Sequence, residues 1–99
     1  VWVVGDIHGH IKTLEELIKI IRQRGERPDL ASYTKKLFED KKLCISKVRE
    51  EIGELIEAVE KDTNKIHEAA DVIYHLMVLL ESNGIKIEEV MEELKKRQK

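Results

Sequence analysis

Hydrophobic residues recur at helical spacing through most of this chain, and polar residues between them mark the helix ends. The longest pattern predicts two helices, 41–61 and 65–81, joined by the short polar turn 62–64. Two antiparallel helices joined by so short a turn form a helical hairpin. A short β-prone run, Val1-Trp2-Val3-Val4, has no other strand to pair with. The pattern therefore predicts an all-α fold.

Shorter helices are predicted on both sides of the hairpin. Thr13 and Glu16 form a capping box that starts a helix from Leu14 to Arg24, and Gly25 is expected to stop it. A short helix is expected to run through Phe38, and Asn83-Gly84 to end the hairpin in a left-handed cap. A last amphipathic helix is expected to pack one face on the bundle, with these apolar positions: Ile87, Val90, Met91 and Leu94.

Acidic pairs stand at matched spacing on the two arms of the hairpin. The first arm holds Glu51 and Glu54, and the second holds Glu68 and Asp71. Residues three apart are neighbours on one helix face, so facing arms would bring four carboxylates together. Because like charges this close repel, such a cluster needs a cation or bound protons. An all-oxygen ligand set suits Mg²⁺, with Mn²⁺ also possible.

The second arm is apolar on nearly every side, as expected of a buried helix. Its polar exceptions Glu68, Asp71 and His75 fall within an arc of roughly 60° on the helical wheel. On the first arm, Glu51 and Glu54 line one edge of an apolar stripe that includes Cys44, whose thiol is predicted to be buried. Three other acids are expected to be ordinary solvated charge: Glu57, Glu60 and Glu81.

Size and charge narrow the classes of partner. A domain of 99 residues buries only roughly 60–65% of its unfolded surface, too little to cover a fully apolar helix. We therefore expect a homodimer whose hairpins pair into a four-helix bundle. Interspersed charges and a net charge of −2 argue against a nucleic-acid partner. No apolar run approaches a membrane span, and with one cysteine the chain is expected to be cytoplasmic.

Hydroxyl-bearing residues cluster at the start of the short helix. Ser32, Tyr33 and Thr34 are followed by Lys35 and Lys36. Hydroxyls, an ammonium group and helix-start N–H groups together suit a phosphate. The alternative is a simple N-cap followed by solvated lysines, which the spacing alone favours.

Three segments resemble phosphoribosyl-ATP pyrophosphohydrolases, all-α nucleotide pyrophosphatases related to MazG. They are 32–37, 47–51 and 68–75, in the order and spacing of that family, and the resemblance covers about 13–97. It implies a dimeric MazG-like bundle over 13–99 that hydrolyses phosphoribosyl-ATP to phosphoribosyl-AMP and pyrophosphate in histidine biosynthesis. Arg49 departs from the family's usual glycine, which keeps open a MazG-like house-cleaning enzyme acting on nucleoside triphosphates. A non-catalytic dimerisation module is a more distant alternative.

The resemblance also implies that the hydroxyl cluster contacts the phosphates or phosphoribose of the substrate, through Ser32, Tyr33, Thr34 and Lys36. Lys47 borders the acidic cluster and is expected to take further phosphate charge. Glu50 or Glu51 is the expected general base toward water. His75 either orients a carboxylate or contacts substrate, and Tyr74, which points away from the acidic arc, acts across the dimer or belongs to the core.

The first residues carry a separate motif. Gly5-Asp6-Ile7-His8-Gly9 resembles the first metal-binding motif of calcineurin-like metallophosphoesterases. That family's later motifs do not occur in the chain, so we expect residues 1–12 to be an extension whose role stays open. A phosphoesterase would depend on Asp6, whereas the hydrolase predicted above depends on Asp71.

Overall fold

The computed structural model describes residues 11–26 and 33–98, and within these ranges the fold is all-α, as predicted. The calcineurin-like motif and Ser32 lie outside the described residues. The helices are α1 (Leu14–Glu26), α2 (Tyr33–Glu39), α3 (Lys41–Lys61), α4 (Lys65–Ser82) and α5 (Ile87–Arg97). No described helix is long and apolar enough to cross a membrane.

The hairpin of α3 and α4 forms as predicted, and its ends have local causes. Asp40 caps α3 by accepting a hydrogen bond of 3.0 Å from the main-chain N–H of Leu43. Asp62 ends the helix in the left-handed region at φ 55°, and Asn64 follows at φ 37°. Gly84, at φ +73°, adopts the left-handed conformation expected after α4.

A small core lies between the hairpin and the two preceding helices. Helices α2 and α4 contact each other, and each of them also contacts α1 and α3. Seven buried side chains make up the core cluster: Ile18, Ile21, Leu37, Cys44, Tyr74, Met77 and Val78. The thiol is buried, as predicted, and this burial raises its pKa. The core thus fixes the short helix α2 against the C-terminal half of α4.

Gly25 does not stop the first helix, contrary to the prediction. It lies inside α1, which continues to Glu26. A β-carbon at this position would come within 2.5 Å of the Phe38 ring. The glycine therefore permits α2 to approach α1 closely, a tertiary requirement that local sequence does not reveal.

Glu81 is not ordinary solvated charge either, because its side chain is only 7% exposed. Both of its carboxylate oxygens accept hydrogen bonds of 2.9 Å from the Arg22 guanidinium. Arg22 also lies 3.5 Å from Glu88 at the start of α5. This bidentate ion pair ties α1 to α4.

Large apolar residues remain exposed on four helices of the single chain, α1, α3, α4 and α5. On α5 only the first turns pack, since Met91 and Leu94 are exposed, so the predicted packing of a whole face is wrong. On the hairpin, the exposed large apolar residues are Ile52, Ile56 and Val59 of α3 and Ile66 and Ile73 of α4. One chain therefore leaves part of the apolar α4 uncovered.

Candidate metal centre

The structure brings the four predicted carboxylates together where α3 and α4 face each other. Carboxylate oxygens of Glu51, Glu54 and Glu68 lie within 4.8 Å of one another. Glu68 belongs to a second group of the same compactness, with Asp71 and His67. Because each acidic pair spans three residues of its helix, the geometry follows directly from the spacing in the sequence.

The burial of these acids is unusual. Glu51 is 3% exposed and Asp71 is 7% exposed. Glu51 Oε2 and Glu68 Oε2 are both buried, and neither has a hydrogen-bond partner within residues 11–26 and 33–98. Burying a carboxylate oxygen without a partner is costly, so two such atoms at one point fit a site that would hold a cation.

The pKa values of these acids reflect their burial and their closeness to one another. Burial, followed by the charge of Glu54, raises the pKa of Glu51 to about 7. Burial and the neighbouring Glu54 carboxyl also raise the pKa of Glu68. Without a cation, protons would have to relieve the repulsion in this cluster. A divalent cation would relieve it and accept the two unpaired oxygens as ligands, so the donor set fits Mg²⁺ or Mn²⁺.

One side of the cluster opens to the surface. Glu54 and Glu68 line a shallow depression of about 180 Å³ beside the turn of the hairpin, together with Asn64 and Lys61. Glu54 is exposed and Glu68 is half-buried, so the depression leads from solvent to Glu68. A phosphate group could reach the cluster by this side.

His67 was missed in the sequence analysis. Its Nε2 lies 3.5 Å from Asp71 Oδ2, one helical turn away. The signal was present, because residues four apart share a helix face and histidine is a common metal ligand. The polar face of α4 therefore includes His67 in addition to Glu68, Asp71 and His75.

Lys47 and Glu50 lie beside the cluster and pair with each other. Lys47 Nζ donates a hydrogen bond of 2.8 Å to Glu50 Oε2. This bond lowers the pKa of Glu50 and raises the pKa of Lys47. Glu50 is exposed, whereas Glu51 is buried, so the two candidate bases have opposite environments.

A polar network joins α2 to α4 next to the acids. His75 Nδ1 lies 2.7 Å from the main-chain oxygen of Asp71, and Tyr33 Oη lies 2.9 Å from His75 Nε2. The main-chain oxygen can only accept, so Nδ1 donates. Burial lowers the pKa of His75, so the ring is neutral and its Nε2 accepts from the Tyr33 hydroxyl.

A second bond strengthens this connection. Thr34 Oγ1 and Tyr74 Oη share a hydrogen bond of 2.5 Å, and both residues are buried. Tyr74 was expected either to act across the dimer or to belong to the core. In the single chain it is buried in the core. Among the other predicted substrate contacts, Lys36 is exposed on α2. The hydroxyl-bearing start of α2 is thus held against the helix that carries Glu68 and Asp71.

Comparison with known proteins identifies close relatives. Residues 14–98 match the family model described as phosphoribosyl-ATP pyrophosphohydrolase. The phosphoribosyl-ATP pyrophosphatase of Clostridium novyi is 45% identical over 91% of this chain and 84% of its own length. That of Methanobrevibacter smithii is 36% identical over 85% of this chain and 92% of its own.

A longer relative aligns with only part of its length. The histidine biosynthesis bifunctional protein HisIE of Pyrococcus furiosus is 46% identical over 90% of this chain, which spans 43% of that protein. The matched family region contains every helix described above, including both acidic pairs. Residues 1–13, with the calcineurin-like motif, lie outside the family match.

Proposed function

The chain belongs to the phosphoribosyl-ATP pyrophosphohydrolase family, and on that premise we propose that it hydrolyses phosphoribosyl-ATP to phosphoribosyl-AMP and pyrophosphate. This is a step of histidine biosynthesis, the pathway named for the bifunctional relatives. The observation that carries the proposal is the four-carboxylate cluster with its two buried, unpaired oxygens. We place this activity in the cytoplasm, on the basis of the composition.

Glu51, Glu54, Glu68 and Asp71 would hold Mg²⁺, with Mn²⁺ as the other candidate. When bound, the cation would neutralise charge on the phosphate oxygens and on the pyrophosphate that leaves. Two of the ligands, Glu51 and Asp71, are buried on facing helices. Their helical positions are fixed by the core, so the site would be largely formed before substrate binds.

Glu50 or Glu51 would act as the general base. A general base works best when its pKa lies near the working pH. In the metal-free chain the pKa of Glu51 is raised to about 7 and the bond from Lys47 lowers the pKa of Glu50, and a cation held by Glu51 would lower its pKa as well. In the proposed reaction, water attacks one phosphorus of the α–β anhydride, its proton passes to Glu50 or Glu51, and the bond from that phosphorus to the bridging oxygen breaks, which releases phosphoribosyl-AMP and pyrophosphate.

Residues on the side of α2 would bind and orient the substrate. Lys47 could exchange its ion pair with Glu50 for a phosphate oxygen, since both groups are accessible. Tyr33 and Thr34 are fixed by bonds to α4, which would hold the start of α2 beside the cluster. Ser32 and Lys36 complete the proposed substrate contacts.

We further propose that the enzyme is a homodimer. The support is the exposed apolar stripe on each arm of the hairpin, where Ile66 is 88% and Val59 is 58% exposed. Pairing these stripes between two copies would bury apolar surface that a single chain leaves in water. A second copy fits because the same stripe is available on each chain, as a symmetric interface requires.

The first test is pyrophosphate release from phosphoribosyl-ATP and from a panel of nucleoside triphosphates, with Mg²⁺ or with chelator. We expect turnover of phosphoribosyl-ATP that chelator abolishes, and its loss in Glu68→Gln with the circular dichroism spectrum unchanged. Glu60→Gln is the matched control, because Glu60 is exposed on the same hairpin. Turnover of the triphosphates alone would favour a MazG-like enzyme, and no turnover would favour a non-catalytic module.

A further inference from the structure

We propose that the depression beside the turn of the hairpin receives the pyrophosphate part of the substrate, and that Lys61 binds it there. The inference rests on the proposed function, because it needs a cation at the four-carboxylate cluster. It assigns a role to a lysine that the proposed reaction leaves unused, and it orients the substrate along the hairpin.

Lys61 lies on the same side of α3 as the acidic cluster. Lys47, Glu54 and Lys61 follow one another at intervals of seven residues, so they are nearly aligned along one side of the helix. At about 1.5 Å per residue, each lysine is roughly 10 Å from Glu54 along the helix axis, in opposite directions. A substrate bound to a cation at the cluster would therefore extend one of its halves toward each lysine.

The two ends of this side differ in what they can hold. Lys47 is close enough to Tyr33, at the start of α2, for the two groups to interact electrostatically, and the hydroxyls there suit the phosphoribosyl group. The other end is the depression of about 180 Å³, which Lys61 lines. Pockets for drug-sized ligands are typically about 300–1,000 Å³. The depression is therefore too small for the phosphoribosyl and adenosine parts, and it suits a compact anion such as pyrophosphate.

The lining of the depression combines acids of the cluster with groups that can bind a phosphate. Glu54 and Glu68 line it together with Lys61, Thr63 and Asn64. The side chain of Asn64 makes no capping hydrogen bond to α4, so its amide is available to a ligand. The ammonium, hydroxyl and amide groups can all donate hydrogen bonds to phosphate oxygens. A phosphate bound to the cation would thus meet three donors on the side of the turn.

The present partner of Lys61 is an exposed acid. Lys61 Nζ donates a hydrogen bond of 2.6 Å to Glu57, which also lines the depression. The two side chains are 66% and 61% exposed, and such exposed pairs contribute little to stability. Pyrophosphate carries more negative charge than one carboxylate and would compete for the ammonium group. Glu57 therefore opposes pyrophosphate binding, so its removal should have the opposite effect to removal of Lys61.

The same turn supplies a matched pair of controls. Lys65 and Asp62 form an ion pair three residues apart, and neither is among the described residues that line the depression. The experiment is isothermal titration calorimetry of the whole chain in Mg²⁺, at constant ionic strength. Sodium pyrophosphate and phosphoribosyl-AMP are titrated separately. The variants are Lys61→Met and Glu57→Gln, with Lys65→Met and Asp62→Asn as their controls.

The two variants in the depression should change pyrophosphate binding in opposite directions. We expect Lys61→Met to bind pyrophosphate at least about 5-fold more weakly, because a hydrogen bond from a charged donor is lost. Glu57→Gln should bind it about 2- to 3-fold more tightly, since the competing carboxylate is gone. Both controls should stay within about 2-fold of the unmodified chain, because solvent and salt screen exposed charges outside the site. Phosphoribosyl-AMP should bind all four variants as it binds the unmodified chain.

The outcomes separate this inference from the proposed reaction. The assignment of Lys61 is overturned if the unmodified chain does not bind pyrophosphate, if Lys61→Met and Lys65→Met weaken it equally, or if Lys61→Met weakens phosphoribosyl-AMP instead. Turnover of phosphoribosyl-ATP alongside any of these results would leave the proposed function standing. Pyrophosphate binding that depends on Lys61, without turnover of phosphoribosyl-ATP, would refute the proposed function and keep the anion site. Because Lys61 is exposed, its replacement should not disturb the fold, and circular dichroism checks this.

Discussion

Replacing Glu51 by glutamine should stabilise the metal-free protein at pH 8, although it removes a proposed ligand and base. Burial and the nearby Glu54 raise the pKa of this carboxyl from 4.5 to about 7. Between these values the folded state binds more protons than the unfolded state, so this group contributes stability that is lost as the pH rises. A rise of this size corresponds to about 3 kcal/mol at pH 8.

Glutamine removes that cost while keeping the shape of the side chain. Its amide can donate to an oxygen of Glu54 or Glu68, whereas the carboxylate can only repel them. Because neighbouring acids share the protons of the cluster, we expect a net stabilisation of about 1–3 kcal/mol at pH 8. At pH 5 the carboxyl is protonated in the folded state, so the gain should fall below about 1 kcal/mol.

The assay is urea unfolding followed by circular dichroism, in chelator, at pH 5 and pH 8. Protein concentration must be held constant, because the stability of a dimer depends on it. The exposed Glu60→Gln serves as the control and should show no pH-dependent difference. With Mg²⁺ at a hundred times its dissociation constant, the unmodified chain should gain about 2.7 kcal/mol and the Glu51 variant should gain almost nothing. The reasoning is refuted if the Glu51 variant is less stable than the unmodified chain in chelator at pH 8.

Three further perturbations test other contacts. Tyr33→Phe removes the hydrogen bond to His75 and should lower kcat/KM by about 3- to 10-fold, the equivalent of one ordinary hydrogen bond, without unfolding the protein; steady-state kinetics and circular dichroism check this. Gly25→Ala should destabilise α1 by about 1–2 kcal/mol in thermal unfolding because the new β-carbon meets the Phe38 ring, and should instead stabilise a Phe38→Ala background. Ile73→Glu should convert the proposed dimer to a monomer in analytical ultracentrifugation; an unchanged sedimentation coefficient would contradict the interface.

The sequence was sufficient for the all-α fold because local rules determine most of it. The bounds of α3, Lys41–Lys61, agree with the prediction to the residue, since a polar turn follows at Asp62. The four acids could be placed together for the same reason: i, i+3 spacing on two arms of one hairpin leaves little freedom. These inferences need only helical periodicity and a short connection.

The errors came from contacts between residues distant in sequence. Arg22 and Glu81 are separated by 59 positions, so no helical wheel could show that this acid is buried and paired. Gly25 was expected to stop the first helix because glycine favours helix ends, but its position is determined by contact with Phe38, which belongs to another helix. In both cases a general local rule was overridden by packing. His67 differs, because its i, i+4 relation to Asp71 was visible in the sequence and was overlooked.

The two faces of α4 impose opposite demands on the hairpin. One face carries Asp71 and half-buried Glu68, whose ionised forms resist burial. The other carries Ile66 and Ile73, which are exposed in the single chain. A bound cation would stabilise the acidic face, and a second copy of the chain would cover the apolar face. In the isolated, metal-free chain neither face has the partner that would stabilise it. Because both faces belong to one rigid helix, metal binding and dimer formation should each favour the same well-ordered α4.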